Sequence, residues 1–199
     1  VLASVDTIAG EIATGTVQAL VAKPVRRWHI LLGKWLGYAV MMSLYLLLMA
    51  GGVIGLNRGL TGYVAPNGLW GTVLIWLNGM LLLSVSLLGG VHLSTLANGV
   101  VVFALYGVAV LGGWVEQIGA FLQSETAVNV GIVSSLLMPS EALWKRAAFE
   151  MRSPVVDALG FSPFTSGGSV PSPLMVTYAA LYAFLALILA LWGFSRRDL

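Results

Sequence analysis

The chain has no cysteine. That excludes disulfides, thiolate chemistry and cysteine-based metal sites, although it does not fix the compartment. Charge is nearly as scarce. Asp, Glu, Lys and Arg make up 9% of the 199 residues, against about 25% in soluble domains. Three long stretches have no such residue at all: 35–57, 59–115 and 158–195, with His92 the only histidine in the second. The net charge is only +2, and the basic residues gather at the ends of apolar runs, so nothing here tracks a nucleic-acid backbone. Histidine occurs twice, at His29 and His92, with no carboxylate or second histidine at ligand spacing, so no metal site is expected. No His-Glu-x-x-His, paired-aspartate or Ser-His arrangement marks an intramembrane enzyme.

What fills the chain instead is apolar. Hydrophobic residues make up 58% of it and the mean hydropathy is +0.92. A soluble protein needs polar positions every few residues, so lipid must be the solvent for much of this surface. Crossing a bilayer takes about 20 largely apolar residues in a helix. Four segments qualify: 35–56, 70–91, 99–118 and 174–194. The first ends at an expected Asn57-Arg58-Gly59 turn, and the third is entered from Asn98. Trp35, Trp70, Trp114 and Trp192 stand at span ends, where interfacial aromatics belong. The expected fold is therefore an all-α, polytopic membrane helix bundle. Residues 1–9 read as the end of a preceding span. Val1 is not an initiator methionine, and Asp6 and Glu11 come too early for a signal peptide, so the chain is expected to begin inside a longer protein.

Lys23, Arg26, Arg27 and Lys34 precede the first full span, and Arg196 and Arg197 follow the last. An even number of spans puts both clusters on one side, expected to be cytoplasmic. The link 92–98 shares that side. Residues 57–69 and 117–173 are then external. Lys145, Arg146 and Arg152 sit awkwardly there, beside Glu116, Glu125, Glu141, Glu150 and Asp157. Within that segment, 127–138 is apolar but too short to span, and reads as re-entrant or interfacial. Ser140 is placed to cap a helix running to about Arg152. Leu143, Trp144, Ala147 and Met151 share one face of it, and Glu141 and Lys145 pair at i,i+4 on the other, as in an amphipathic helix lying on the bilayer.

Residues 10–16 resemble the spacing of a phosphate loop, but Thr16 follows Gly15 where the lysine is required, and no strand precedes it. A short helix from Thr16 to about Ala22 stops at Lys23-Pro24, and Pro24 suits the first turn of the next helix. Residues 10–37, GEIATGTVQALVAKPVRRWHILLGKWLG, resemble the signature of ABC-2 type transporter permeases. The ending FSRRDL at 194–199 is similar to that family's. The stretch SLLMPSEALWKRAA at 135–148 resembles its multi-spanning branch, which includes the nitrous-oxide-reductase maturation permease. Family members have six spans, so the resemblance implies that this chain lacks the first and most of the second. It implies a cytoplasmic coupling region at 10–34, in which Glu11, Gly15, Thr16, Pro24, Arg26, Arg27, Gly33 and Lys34 engage a separate ABC ATPase subunit. It also implies a second permease copy as partner, no cofactor, and a multi-pass protein of a prokaryotic plasma membrane.

Plainer readings stand beside these. Arg26, Arg27 and Lys34 also suit positive-inside anchoring to lipid headgroups, and Glu11 a solvated helix end. Asn78, Ser84 and Ser86 lie within a span, where they either join helices by hydrogen bonds or line a translocation path. Gly33/Gly37 and Gly51/Gly55 suit close helix packing. An ion-coupled carrier would need ionisable groups at mid-depth, which the expected spans lack. A permease driven by a partner ATPase accounts for such inert spans, with a channel-like or structural membrane subunit as the alternative.

Overall fold

The computed structural model describes residues 10, 27–62, 64, 66–152 and 170–196. Six helices carry the described residues, with no strand among them: α1 (Arg27–Thr61), α2 (Gly68–His92), α3 (Thr95–Phe121), α4 (Glu125–Leu137), α5 (Ser140–Glu150) and α6 (Pro173–Arg196). Four of them, α1, α2, α3 and α6, are long and apolar enough to cross a membrane. The expected polytopic helical fold is the fold observed. Residues 1–9 and the short helix expected at 16–22 lie outside the described residues.

Each span is longer than its hydropathy alone marks. α1 runs straight through Asn57-Arg58-Gly59, which was expected to be a turn, and stops at Thr61. The stop is made by Gly62, whose φ of +69° is left-handed. Its N–H donates to the Arg58 carbonyl at 3.1 Å, the single-bond glycine C-cap. The Thr61 hydroxyl donates to the Asn57 carbonyl at 2.7 Å. α3 begins four residues before its expected first residue. Ser94 Oγ accepts from the Ala97 N–H at 3.5 Å, so Asn98 lies one turn inside the helix and is fully buried. α3 ends in a Schellman motif. The Ser124 N–H donates to the Gly119 carbonyl at 2.9 Å and the Gln123 N–H to the Ala120 carbonyl at 3.4 Å. Gln123 takes the left-handed position, with φ 55°.

The chain divides into two compact units. The first comprises Val1–Met42, Gly79–Ala104 and Ala180–Leu199. Its described core is apolar, with Leu31, Leu81, Leu87, Val91, Val102 and Phe194 each at most 2% exposed. Polar links join its helices. Trp35 Nε1 of α1 donates to Ser84 Oγ of α2 at 3.2 Å, and Asn98 Nδ2 of α3 donates to the Ser86 carbonyl at 2.9 Å.

The second unit comprises Ser43–Asn78 and Leu105–Ala179. Here α4 and α5 form a pair bent by 103° at Met138-Pro139. The 13 residues of α4 span only about 20 Å at 1.5 Å each, short of a hydrocarbon core of about 30 Å. The pair packs tightly on α3. A Cβ on Gly131 of α4 would stand 2.8 Å from the Gly112 carbonyl, and one on Gly112 would overlap the Ser134 hydroxyl. Only glycine permits that approach. Tyr178 of α6 donates its hydroxyl to the Leu136 carbonyl at 2.6 Å.

Candidate functional site

Of the residues expected to couple to an ATPase, Glu11, Gly15, Thr16, Pro24 and Arg26 lie outside the described residues. Arg27 is the first residue of α1, and Gly33 and Lys34 follow within the same helix. They therefore ride on one element that continues into the bilayer. Trp28 and His29 stack beside them, with ring centroids 3.7 Å apart. Gly33 and Gly37 have no neighbour within 4 Å of where a side chain would begin.

The polar residues of α2 lie on the helix proposed for them but do different work. Ser84 is 1% exposed and Ser86 is fully buried. Ser84 Oγ accepts from the Trp35 indole N–H and donates its own O–H to the Met80 carbonyl at 2.8 Å. Asn78 Oδ1 is buried with no hydrogen-bond partner among the described residues.

The side chains that do converge are in the second unit, and the sequence reading paired them differently. Lys145 Nζ of α5 donates to Glu116 Oε2 of α3 at 2.9 Å and to the Gly113 carbonyl at 3.2 Å. Both side chains are mostly buried, 16% and 10% exposed. Lys145 was expected to pair with Glu141, one turn earlier on its own helix. A partner on α3 is available because α3 carries glycine where α5 comes closest. The Glu141 side chain lies across Gly113, where a Cβ would stand 2.5 Å from its Cγ. Glu116, Lys145 and Glu141 share a cavity of about 190 Å³ with Gly113, Ser135 and Ser172. Glu141 lies outside the four spans. Burial pushes its carboxyl above the usual range, Lys145 pulls it down and Glu116 adds repulsion.

α5 differs from its expected cap and face in detail. Its N-cap is Pro139 rather than Ser140, and Ser140 Oγ is buried with no partner among the described residues. Leu143 and Ala147 are buried while Trp144, expected on their face, is 54% exposed. Arg146 pairs within the helix with Glu150 Oε1 at 2.7 Å and ties the helix to the following segment through the Pro171 carbonyl at 3.1 Å. Asn67 Nδ2 reaches Glu150 Oε2 at 2.8 Å. Among the described residues no group of three or more His, Asp or Glu side chains could hold a metal ion.

No curated protein and no solved structure matches the chain. The family model described as ABC-2 family transporter protein matches residues 1–199. That match takes in residues 10–34, the four apolar helices and the bent pair alike, and with it the chain belongs to the ABC-2 family of membrane transporter proteins.

Proposed function

We propose that this chain is the permease subunit of an ATP-driven exporter, working with a separate ABC ATPase and a second permease copy. Members of its family are transport subunits in the membrane and not themselves catalysts. One observation carries the reading. Glu116 is the sole carboxylate inside the four spans, and it is neutralised by Lys145. Helices so poor in ionisable groups have little with which to couple to an ion gradient, so the driving force comes from a partner. In this reading ATP binding draws two ATPase copies together, and the region 10–34 carries that movement into α1. The roles given to Glu11, Gly15, Thr16, Pro24, Arg26, Arg27, Gly33 and Lys34 rest on the motif at 10–37. The second permease copy is supported by α1, of which only 6% of the apolar window is buried. The stretch at 135–148 supports a place in the multi-spanning branch, and the family supports a prokaryotic plasma membrane.

The test is co-purification of the full-length protein with an ABC ATPase in detergent, against a variant carrying Glu11→Ala, Arg26→Ala and Arg27→Ala. The variant, stripped of these three charged side chains, is expected to retain the ATPase at least about tenfold more weakly, equivalent to about 1.4 kcal/mol. If the unmodified protein retains no ATPase, a channel-like or structural role replaces this one.

A further inference from the structure

The cavity between α3 and the α4–α5 pair holds two carboxylates and one ammonium. Lys145 satisfies Glu116 and the Gly113 carbonyl, and so fastens α5 to α3. Glu141 sits over Gly113 with no hydrogen bond from any described residue. The charged groups facing it are Glu116 from α3 and Lys145 from its own helix. The cavity walls from α4 and α6, Ile132, Ser135 and Met175, bring no charge, and neither do Val170, Pro171 and Ser172. With Glu141 protonated the cluster is neutral, as one ion pair. With Glu141 ionised the cluster carries −1 in a poorly hydrated space. Glu141 then repels Glu116. It also attracts Lys145 in the favourable i,i+4 order, drawing the ammonium back onto α5 and away from α3.

We propose that Glu116, Lys145 and Glu141 form a proton-operated latch between α3 and the α4–α5 pair, closed when Glu141 is protonated and loosened when it is ionised. The latch is independent of the ATPase reading, since every group in it lies within the second unit. Its sign follows from burial. A carboxyl raised in the closed state favours closure fully below its ordinary value of 4.5, and that preference is lost as pH rises through the raised value. The occupant that closes the latch is a proton, so no metal or substrate is required.

These 199 residues contain no cysteine, so with any cysteine elsewhere in the full-length protein replaced, labels go only where they are placed. Leu111→Cys on α3 and Ala148→Cys on α5 are both exposed positions and accept spin labels. The distance between them is read in the full-length protein in lipid vesicles by pulsed electron resonance. A single narrow distribution is expected at about pH 4.5, with a second, displaced population appearing as pH is raised to about 8. Glu141→Gln, a neutral isostere, is expected to stay narrow at both values. Glu116→Gln is expected to be broad at both. A distribution in the unmodified protein that ignores pH overturns the latch, and so does a Glu141→Gln variant that still responds to it. Should Glu141→Gln fail to insert, the pH series on the unmodified sequence decides alone.

Discussion

Lys145 and Glu116 show what a single contact does when little water reaches it. Separately each would be a buried, uncompensated charge, and breaking such a pair typically costs about 3–5 kcal/mol. Removing both charges costs far less, because desolvation disappears along with attraction. Lys145→Met alone is therefore expected to lower thermal stability in detergent more than Lys145→Met combined with Glu116→Gln. Melting curves for the three proteins check the order. The identity of the pair was not legible from the sequence. A helix rule offers Lys145 the carboxylate one turn before it, and that rule describes an isolated helix in water. Here Glu116 lies on another helix, brought close by Gly112, Gly113 and Gly131, and the cross-helix contact wins. The buried Ser140 hydroxyl has the same lesson: a serine before an apolar helix suggests a cap, but Pro139 occupies that position.

At the level of elements, the existence of all four spans was legible and their ends were not. Hydropathy reports the part of a helix that faces hydrocarbon, while the backbone ladder continues until something stops it. Gly59 in α1 did not stop it, since one interior glycine costs only about 1 kcal/mol. Gly62 did, because its left-handed φ ends the ladder. The end of α3 uses the same geometry with a residue that suits it poorly. Gln123 holds φ 55°, a conformation that costs a side-chain-bearing residue about 1 kcal/mol. Gln123→Gly is expected to raise stability by about that amount, read as a shift in the detergent melting midpoint. The bent pair was half legible. A 13-residue apolar stretch is too short to span whatever its surroundings, but nothing in its pattern announced how closely α4 and α5 would pack against α3.

For the molecule as a whole, four spans with basic clusters at both ends predict that the two ends share a side. This topology takes the bent pair as a re-entrant loop; as one broken span it would add a fifth crossing and put the two ends on opposite sides. Val64→Cys, in the link between α1 and α2, is expected to react with an impermeant maleimide added outside intact cells. Ser94→Cys, in the link between α2 and α3, is expected to react only after permeabilisation. The reverse pattern would turn the topology over and place the region 10–34 outside. Function at this scale was legible where the fold had least to add: the motif at 10–37 pointed to the family, and most of its residues precede α1.

The length of α1 has one more consequence. Its 35 residues make a rod of about 52 Å, whereas α2 and α6, with 25 and 24 residues, reach about 36 Å. The surplus is roughly three turns, and the first of its turns carry Arg27, His29 and Lys34, with Trp35 just beyond. Lysine and arginine seek the headgroup layer and tryptophan its inner edge, so these residues mark a waterline on the rod. A thicker bilayer would draw that line toward the amino end, and a thinner one would tilt the rod or leave more of it in water. The lipid composition around this protein thus becomes a setting of its geometry: acyl-chain length decides how far the basic end of α1 stands clear of the membrane.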